Sequence, residues 1–390
     1  KLDNVKALAK KLASGFQGEP KNVSFALEEE KYVNNNKIIK NPNDVSNDEK
    51  VALLLQLNNG ASTYNDEISQ VICVLTDRVQ DVVIANTNGK YVKDRRCNVR
   101  ISANVVASDG ENMQTASNNI GRNQGYEMFE GVDLVQFGKD ISKAAVTMLH
   151  ADEIQGGKMT VVVHNDFGGV LLHEACVHSL EATSVAKGVS VFTNKLGEKI
   201  ASDIVTAVDD GTLPNSWGSL NVDDEGNPTQ RNVLIENGVL KQYLVDYRNS
   251  KIMNHHITGS GRRQSYKYSP TSRMTNTFFA PGKSTFEEII ANTKFGLFAK
   301  QMGGGSVNPS TGEFNFAVNE GYLIENGKIT KPVRGATLVG SGKDVLKNID
   351  MIADNLSFGH GMCGSVSGSI PTDVGQPTIR VQNMTVGGRG

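Results

Sequence analysis

Cysteine is scarce in this chain, and long apolar runs are absent. The 390 residues include four cysteines, and no two of them form a Cys-x-x-Cys pair: Cys73, Cys97, Cys176 and Cys363. So few and so scattered cysteines argue against a disulfide framework and favour reduced thiols in a cytoplasmic protein, where a thiolate can serve as a soft metal ligand. No apolar run approaches the roughly 20 residues of a membrane-spanning helix, so we expect no membrane association.

A strong charge of either sign is also absent. The formal net charge is −2 and the sequence pI is about 6.4, with acidic and basic residues interspersed. This balance gives no electrostatic reason to expect nucleic acid or an anionic membrane as a partner. The chain begins at Lys1 without a methionine, which is compatible with a cleaved signal peptide, although a cytoplasmic location is the simpler expectation.

Turn signals and apolar spacing divide the chain into two parts, which its length allows. In the first part, Asn88-Gly89 between two β-rich runs predicts a hairpin, and Ile141–Leu149 has the spacing of an amphipathic helix. Gln155-Gly156-Gly157 is a plausible boundary. We therefore predict an α+β protein, with an N-terminal α/β domain over residues 1–155 and a larger β-rich C-terminal domain over residues 156–390.

The second part is rich in glycine and in strand-like segments. Asn-Gly pairs at 237–238 and 326–327 lie in similar sequences and predict two hairpins, which we interpret as two uses of one turn rather than as a duplication. Thr285-x-x-Glu288 is a capping-box pattern that predicts a helix over Phe286–Thr293. Helical spacing also predicts a helix over Lys343–Asp354.

The most informative stretch of the chain runs from His173 to His178 and reads His-Glu-Ala-Cys-Val-His. In the His-Glu-x-x-His motif, two histidines four residues apart share a helix face and bind zinc. This chain has one extra residue, and positions five apart are rotated by roughly 140° on a regular α-helix. Local widening to i→i+5 hydrogen bonding would bring both rings to one side, and so we expect the helix around Ala175–His178 to be widened or to end early if the two histidines share a metal. The alternative is an ordinary helix with two unrelated histidines, and the motif alone leaves both interpretations open.

Several further segments occur in a fixed order with this stretch. They are Gly169–Glu181, Val208–Pro214, Gly218–Gly226, Gly259–Tyr266, Arg273–Thr277, Gly303–Gly305 and Val374–Pro377. With them, the chain from about Ala85 to its C-terminus resembles the TldD/PmbA family of metallopeptidases. Residues 1–80 match only weakly, and two short stretches depart from the family pattern, after Leu180 and after Cys363. Neither departure removes a residue that could bind a metal.

The resemblance implies a catalytic zinc site. Its ligands would be His173, His178 and Cys363, and Glu174 would be the general base that acts on zinc-bound water. The implied activity is zinc-dependent hydrolysis of extended or unfolded peptides. Cys176, three residues after His173, is a competing ligand, although we interpret it rather as a small buried apolar residue, and His360 could replace or assist a ligand.

The resemblance also implies partners. Family members form dimers that enclose the site, so we expect a homodimer or a heterodimer with a related subunit. The family also contains subunits that have lost the metal ligands, and a catalytically inactive partner subunit is therefore the alternative function. Four residues of the matched segments are candidates for lining the substrate groove: Arg262, Arg263, Tyr266 and Asn276. The Arg pair is more simply interpreted as a surface feature, and no catalytic role is assigned to these residues.

Overall fold

An antiparallel sheet covered by helices forms the N-terminal part of the protein. The computed structural model describes residues 1–16, 18, 26–308 and 310–388. The first elements are α1 (Leu2–Ala13), β1 (Glu28–Glu29), α2 (Asn47–Ser62), β2 (Ile68–Ala85), β3 (Lys90–Ser108), β4 (Met113–Asn123) and α3 (Leu134–Leu149). β2 and β3 pair along their whole length and β4 pairs with the other side of β3, whereas the short β1 is parallel to β3.

Sequence periodicity explains how this sheet acquires its covered face. Alternate residues of β3, from Val99 to Ala107, are buried, as expected for a strand with one face against a core. α2 and α3 supply the other half of that core through residues such as Leu57 and Ile141. The predicted hairpin is confirmed, and Gly89 at its turn has a φ of +85° that favours glycine.

Two larger sheets form the C-terminal part. Its elements are β5 (Asp152–Glu153), β6 (Gly157–Val163), α4 (Val170–Ala175), α5 (Ala182–Val185), β7 (Ala207–Asp210), β8 (Arg231–Glu236), β9 (Val239–Leu240), α6 (Tyr247–Met253), β10 (Gly261–Arg262), β11 (Thr271–Ser272), β12 (Asn276–Phe279), α7 (Phe286–Ala291), β13 (Phe295–Val307), β14 (Glu313–Glu325), β15 (Lys328–Arg334), β16 (Thr337–Ser341), α8 (Gly342–Asn348), β17 (Ile349–Ile352), β18 (Ser357–Ser365), β19 (Gly368–Gln376) and β20 (Ile379–Gly387).

The first of these sheets closes on itself. Strands β13, β6, β20, β16 and β14 pair in that order, and β14 pairs again with β13, so the five strands form a ring. The second sheet has the order β18-β19-β12-β7-β8-β9, with β18 at its edge. α4 contacts strands of both sheets, and Leu171 and Leu172 are buried in the core between them. Apolar residues on α4 therefore fix the position of the neighbouring His173 and Glu174.

Most local predictions for this part agree with the structure. Both Asn-Gly hairpins form, in different sheets, and Asn and Gly have positive φ at each turn. The capping box at Thr285 forms, although its helix ends at Ala291. The mixed α+β prediction is confirmed, whereas the boundary after residue 155 stays a prediction. No helix in the described ranges has the length and apolarity needed to cross a membrane.

The predicted helix over Lys343–Asp354 is wrong in its second half. α8 begins after Ser341, whose side chain accepts a hydrogen bond from the backbone N–H of Asp344, but it ends at Asn348. Ile349–Ile352 forms β17, which pairs with β20 at the margin of the ring. Both isoleucines of β17 are buried there. Pairing with a distant strand therefore outweighs the helical spacing of this segment.

Candidate metal centre

The extra residue between the two histidines is accommodated by a break in the helix. α4 ends at Ala175, Cys176 has φ −128° and ψ −58°, and a 3₁₀ helix over Val177–Leu180 then carries His178. The rings of His173 and His178 consequently lie next to each other in an edge-to-face arrangement, with centroids 4.8 Å apart and planes at 86°. Of the two geometries that could bring these rings together, the chain adopts the early end of the helix rather than a widened turn.

Gly342 packs directly against the end of this helix. A Cβ built at this buried glycine would collide with the carbonyl group of Ala175, at 2.7 Å from its carbon atom and closer still to its oxygen. Only a residue without a side chain allows α8 to begin so close to the last residue of α4. The start of one helix and the end of the other are therefore packed backbone to backbone.

Cys363 completes a cluster with the two histidines. It lies on β18, and its Sγ is 3.2 Å from Nε2 of His173 and 3.5 Å from Nε2 of His178. A tetrahedral zinc ion with Zn–S of about 2.3 Å and Zn–N of about 2.0–2.1 Å places its S and N ligands roughly 3.5 Å apart. Within the described part of the chain, these three residues are the one group of three or more His, Cys, Asp or Glu side chains found close enough to share a metal ion.

The cluster favours the thiolate form of Cys363. Burial alone would raise the pKa of this thiol, but the charge and hydrogen bonds of His173 and His178 outweigh it and lower the pKa to about 3. Burial likewise opposes the charged form of His178, yet the carboxylate of Glu181 and the sulfur of Cys363 hold the pKa of that imidazole well above its usual value. A thiolate is the form in which cysteine binds a metal.

Two carboxylates flank His178 and differ in their access to solvent. Glu181 Oε2 is 3.3 Å from His178 Nδ1, and the Glu181 side chain is buried. Glu174 Oε2 is 3.5 Å from His178 Nε2, and 22% of its side chain is exposed. Glu181 is therefore placed to orient the His178 ring, whereas Glu174 lies where a carboxylate can contact both the cluster and an arriving molecule.

The two alternative ligands lie outside the cluster. Cys176 is fully buried in the apolar core, and burial raises the pKa of its thiol to about 12. His360 uses both ring nitrogens elsewhere: Nδ1 is 2.6 Å from a carboxylate oxygen of Asp373, and Nε2 is 2.8 Å from Arg122 on β4. His360 thus connects the C-terminal sheet to the N-terminal part of the protein.

The interpretation of the Arg pair as a surface feature is wrong for Arg262. Only 3% of Arg262 is exposed, and its guanidinium donates to the carbonyl oxygens of Met274 and Pro371. This burial was not evident from the sequence, because the hydrogen bonds of Arg262 go to backbone carbonyls, which leave no pattern of side chains to recognise. Arg273 is buried in the same region and was not singled out from the sequence either.

The sequence of the chain matches models of known protein domains. Residues 156–388 match the PmbA/TldA metallopeptidase C-terminal domain, and residues 40–149 match the PmbA/TldA metallopeptidase central domain. The second match extends the resemblance toward the N-terminus, beyond the motifs that begin near Ala85.

Similar proteins bear metalloprotease names. The chain is 41% identical over 351 residues to the metalloprotease TldD homolog of Haemophilus influenzae, covering 88% of the chain and 73% of that protein. It is 38% identical over 363 residues to the homolog of Buchnera aphidicola from Acyrthosiphon pisum, covering 90% and 75%. A metalloprotease of Methanothermobacter thermautotrophicus is 32% identical, with coverage of 89% and 76%.

Solved structures share the fold. A Thermotoga maritima protein, described as a candidate modulator of a DNA gyrase, superposes with a TM-score of 0.80 at 22% identity, covering 97% of this chain and 82% of that one. TldE from Thermococcus kodakarensis superposes with a TM-score of 0.76 at 20% identity and the same coverage. At such low identity these likenesses concern the fold alone.

Proposed function

Because the chain belongs to the TldD/PmbA metallopeptidase family, we propose that it is a zinc-dependent peptidase with the ligands His173, His178 and Cys363. The observation that carries the proposal is the cluster itself, in which three buried or half-buried donor atoms converge from a helix, a 3₁₀ helix and a strand. Two imidazoles and a thiolate suit zinc. Three protein ligands also leave a coordination position for water or substrate, as in a catalytic rather than a structural site.

Glu174 is the proposed general base. When bound, zinc acidifies a water molecule and polarises the substrate carbonyl. Glu174 would take the proton of the attacking water and return it to the departing amine, and its partial exposure beside His178 permits both transfers. Glu181 would hold the His178 ring through Nδ1, which leaves Nε2 directed at Cys363 and the metal position.

The proposed substrates are extended peptides or unfolded segments. β13 pairs with β6 only through Gly296–Ala299, so within the described residues its Lys300–Val307 portion has β14 as its one partner strand. This portion includes Gly303–Gly305, and glycines in a strand allow another backbone to approach closely. An extended peptide that pairs with such an edge gains backbone hydrogen bonds with little sequence preference.

A cytoplasmic location and assembly as a homodimer or as a heterodimer with a related subunit complete the proposal. Mass measurement of the purified chain, alone and with a co-expressed relative, tests the assembly. The alternative, an inactive partner subunit, predicts a chain without stoichiometric metal. Metal analysis of protein purified without chelator distinguishes the two functions.

Replacement of Glu174 by Gln tests the catalytic role. Glu174→Gln should keep zinc and cleave a disordered peptide about 10²–10⁴-fold more slowly, the usual contribution of a general base. Glu287→Gln, on an exposed position of α7, is the matched control and should behave like the parent. If Glu174→Gln cleaves as fast as the parent, the role given to Glu174 is wrong. If Cys363→Ser keeps its zinc, the ligand set is wrong.

A further inference from the structure

Arg273 is a buried cation next to the candidate metal centre. It lies between β11 and β12, and its exposed fraction is 0%. A guanidinium removed from water is unfavourable unless hydrogen bonds and an opposite charge compensate for the lost hydration. The hydrogen-bond and charge partners of this side chain therefore indicate its role.

One side of the guanidinium holds the strand that carries Cys363. Nη2 donates to the carbonyl oxygen of Cys363 at 2.6 Å. Nη1 donates to the hydroxyl of Ser367 at 2.8 Å and to the carbonyl oxygen of Gly368 at 3.1 Å. Because Ser367 and Gly368 follow β18 at the turn into β19, Arg273 holds Cys363 relative to the turn that ends its strand.

The other side of the guanidinium faces Glu181. Arg273 Nε is 3.8 Å from Glu181 Oε1, and within the described residues neither of these buried atoms has a hydrogen-bond partner. The second oxygen of Glu181 is 3.3 Å from Nδ1 of His178. Arg273 thus connects, through Glu181, to one of the histidines and, directly, to the backbone of the cysteine.

We propose that Arg273 is a positioning residue that keeps Cys363 and His178 at ligand spacing, an inference that rests on the proposed zinc site. Its planar fork reaches the β18–β19 turn and Glu181 at the same time, which the single ammonium group of lysine cannot do. Partners of metal ligands commonly determine metal affinity in this way. Arg273 does not itself contact substrate or metal in this assignment.

Arg273→Lys is the test, and Arg262→Lys is its matched control. Arg262 is also a buried arginine that donates to backbone carbonyls, but in the part of the chain that the structure describes these belong to Met274 and Pro371 and not to Cys363 or Glu181. Zinc affinity is measured by competition with a chelator. Cobalt-substituted protein is measured as well, because the thiolate-to-cobalt absorption band reports the Cys363 bond directly. Thermal unfolding of the metal-free proteins monitors folding.

We expect Arg273→Lys to weaken zinc binding about 10–100-fold and to shift the cobalt band, whereas Arg262→Lys should keep both at parental values. Equal losses of affinity in the two variants would overturn the inference, because they would indicate general loosening of the sheet. Parental zinc affinity and an unchanged band in folded Arg273→Lys would also overturn it. Should Arg273→Lys not fold, Glu181→Gln tests the same link, and parental affinity in that variant would refute it. A parent chain that binds no zinc refutes the proposed function instead.

Discussion

A methyl group at position 342 should distort the candidate metal centre, although Gly342 is not part of it. Gly342 is the first residue of α8, and helices favour alanine over glycine, by up to about 1 kcal/mol in their interior. On the sequence alone, Gly342→Ala should therefore stabilise the protein. The structure predicts the opposite, because the new Cβ would lie 2.7 Å from the carbonyl carbon of Ala175 and 3.3 Å from its Cα.

The size of the effect follows from these distances. Carbon atoms pack best at about 3.5–4.0 Å and the carbonyl oxygen of Ala175 would be closer to the new Cβ than either carbon, so α8 or the end of α4 must move by more than about 1 Å. Overpacking of this kind costs about 1–3 kcal/mol, which exceeds the gain in helix propensity. The displaced residue precedes the break that sets His178 against His173. Because metal sites tolerate errors of about 0.2 Å in ligand distances, we expect zinc affinity to fall at least about 10-fold.

Urea unfolding of metal-free protein and zinc competition measure the two effects separately. Gly364→Ala is the control, because a Cβ there meets no atom within 4 Å although the residue directly follows Cys363. The control should keep parental stability and affinity. If Gly342→Ala is as stable as the parent and binds zinc as tightly, the backbone contact between α8 and α4 does not set the site geometry.

Three further predictions concern other parts of the chain. Cys176→Ala should keep full zinc stoichiometry by metal analysis, and loss of zinc would return Cys176 to the ligand set. Burial and nearby carboxylates raise the pKa of Glu225 from 4.5 to about 7, although a hydrogen bond from the backbone N–H of Tyr247 lowers it. Ionisation of Glu225 is thus less favourable in the folded than in the unfolded protein, and the parent loses stability as pH rises from about 4.5 to 7. Glu225→Gln should therefore gain stability over the parent in this range, by about 1–2 kcal/mol after allowance for solvent screening. Urea unfolding of both proteins at pH 4.5 and 8 measures the gain, and its absence would contradict this prediction. Arg122→Met removes the hydrogen-bond partner of His360 Nε2 and should lower the melting temperature of the protein. It should also weaken the coupling between residues 40–149 and 156–388, which calorimetry would show as a broadened or split transition. An unchanged single transition would count against this prediction.

Local features of the fold were predictable because their causes lie within a few residues of sequence. An Asn-Gly pair needs only its own positive φ values to form a tight hairpin, as at 237–238 and 326–327. The capping box at Thr285 likewise depends on residues three apart. Ile349–Ile352 was mispredicted because its partner, β20, lies about thirty residues away and no local pattern records that pairing.

In the candidate site, too, the residues close in sequence were predictable and the contacts from distant residues were not. His173, Glu174 and His178 lie within six residues and were evident as a motif, and Cys363 followed from the family resemblance. Whether the helix widened or ended could not be decided from the motif, since the residue packed against its end, Gly342, is far along the chain. The role of Arg273 was hidden for a similar reason, because it acts through backbone carbonyls that any sequence would supply.

The strand that carries Cys363 lies at the margin of its sheet, yet part of its backbone is already occupied. Trp217 donates from its indole N–H to the carbonyl oxygen of Gly361, and Arg273 occupies that of Cys363. An edge strand with unpaired carbonyl groups can pair with a strand of another chain, which leads to aggregation. Here two side chains take the place of a neighbouring strand, so the backbone on both sides of Met362 is protected from pairing with another chain.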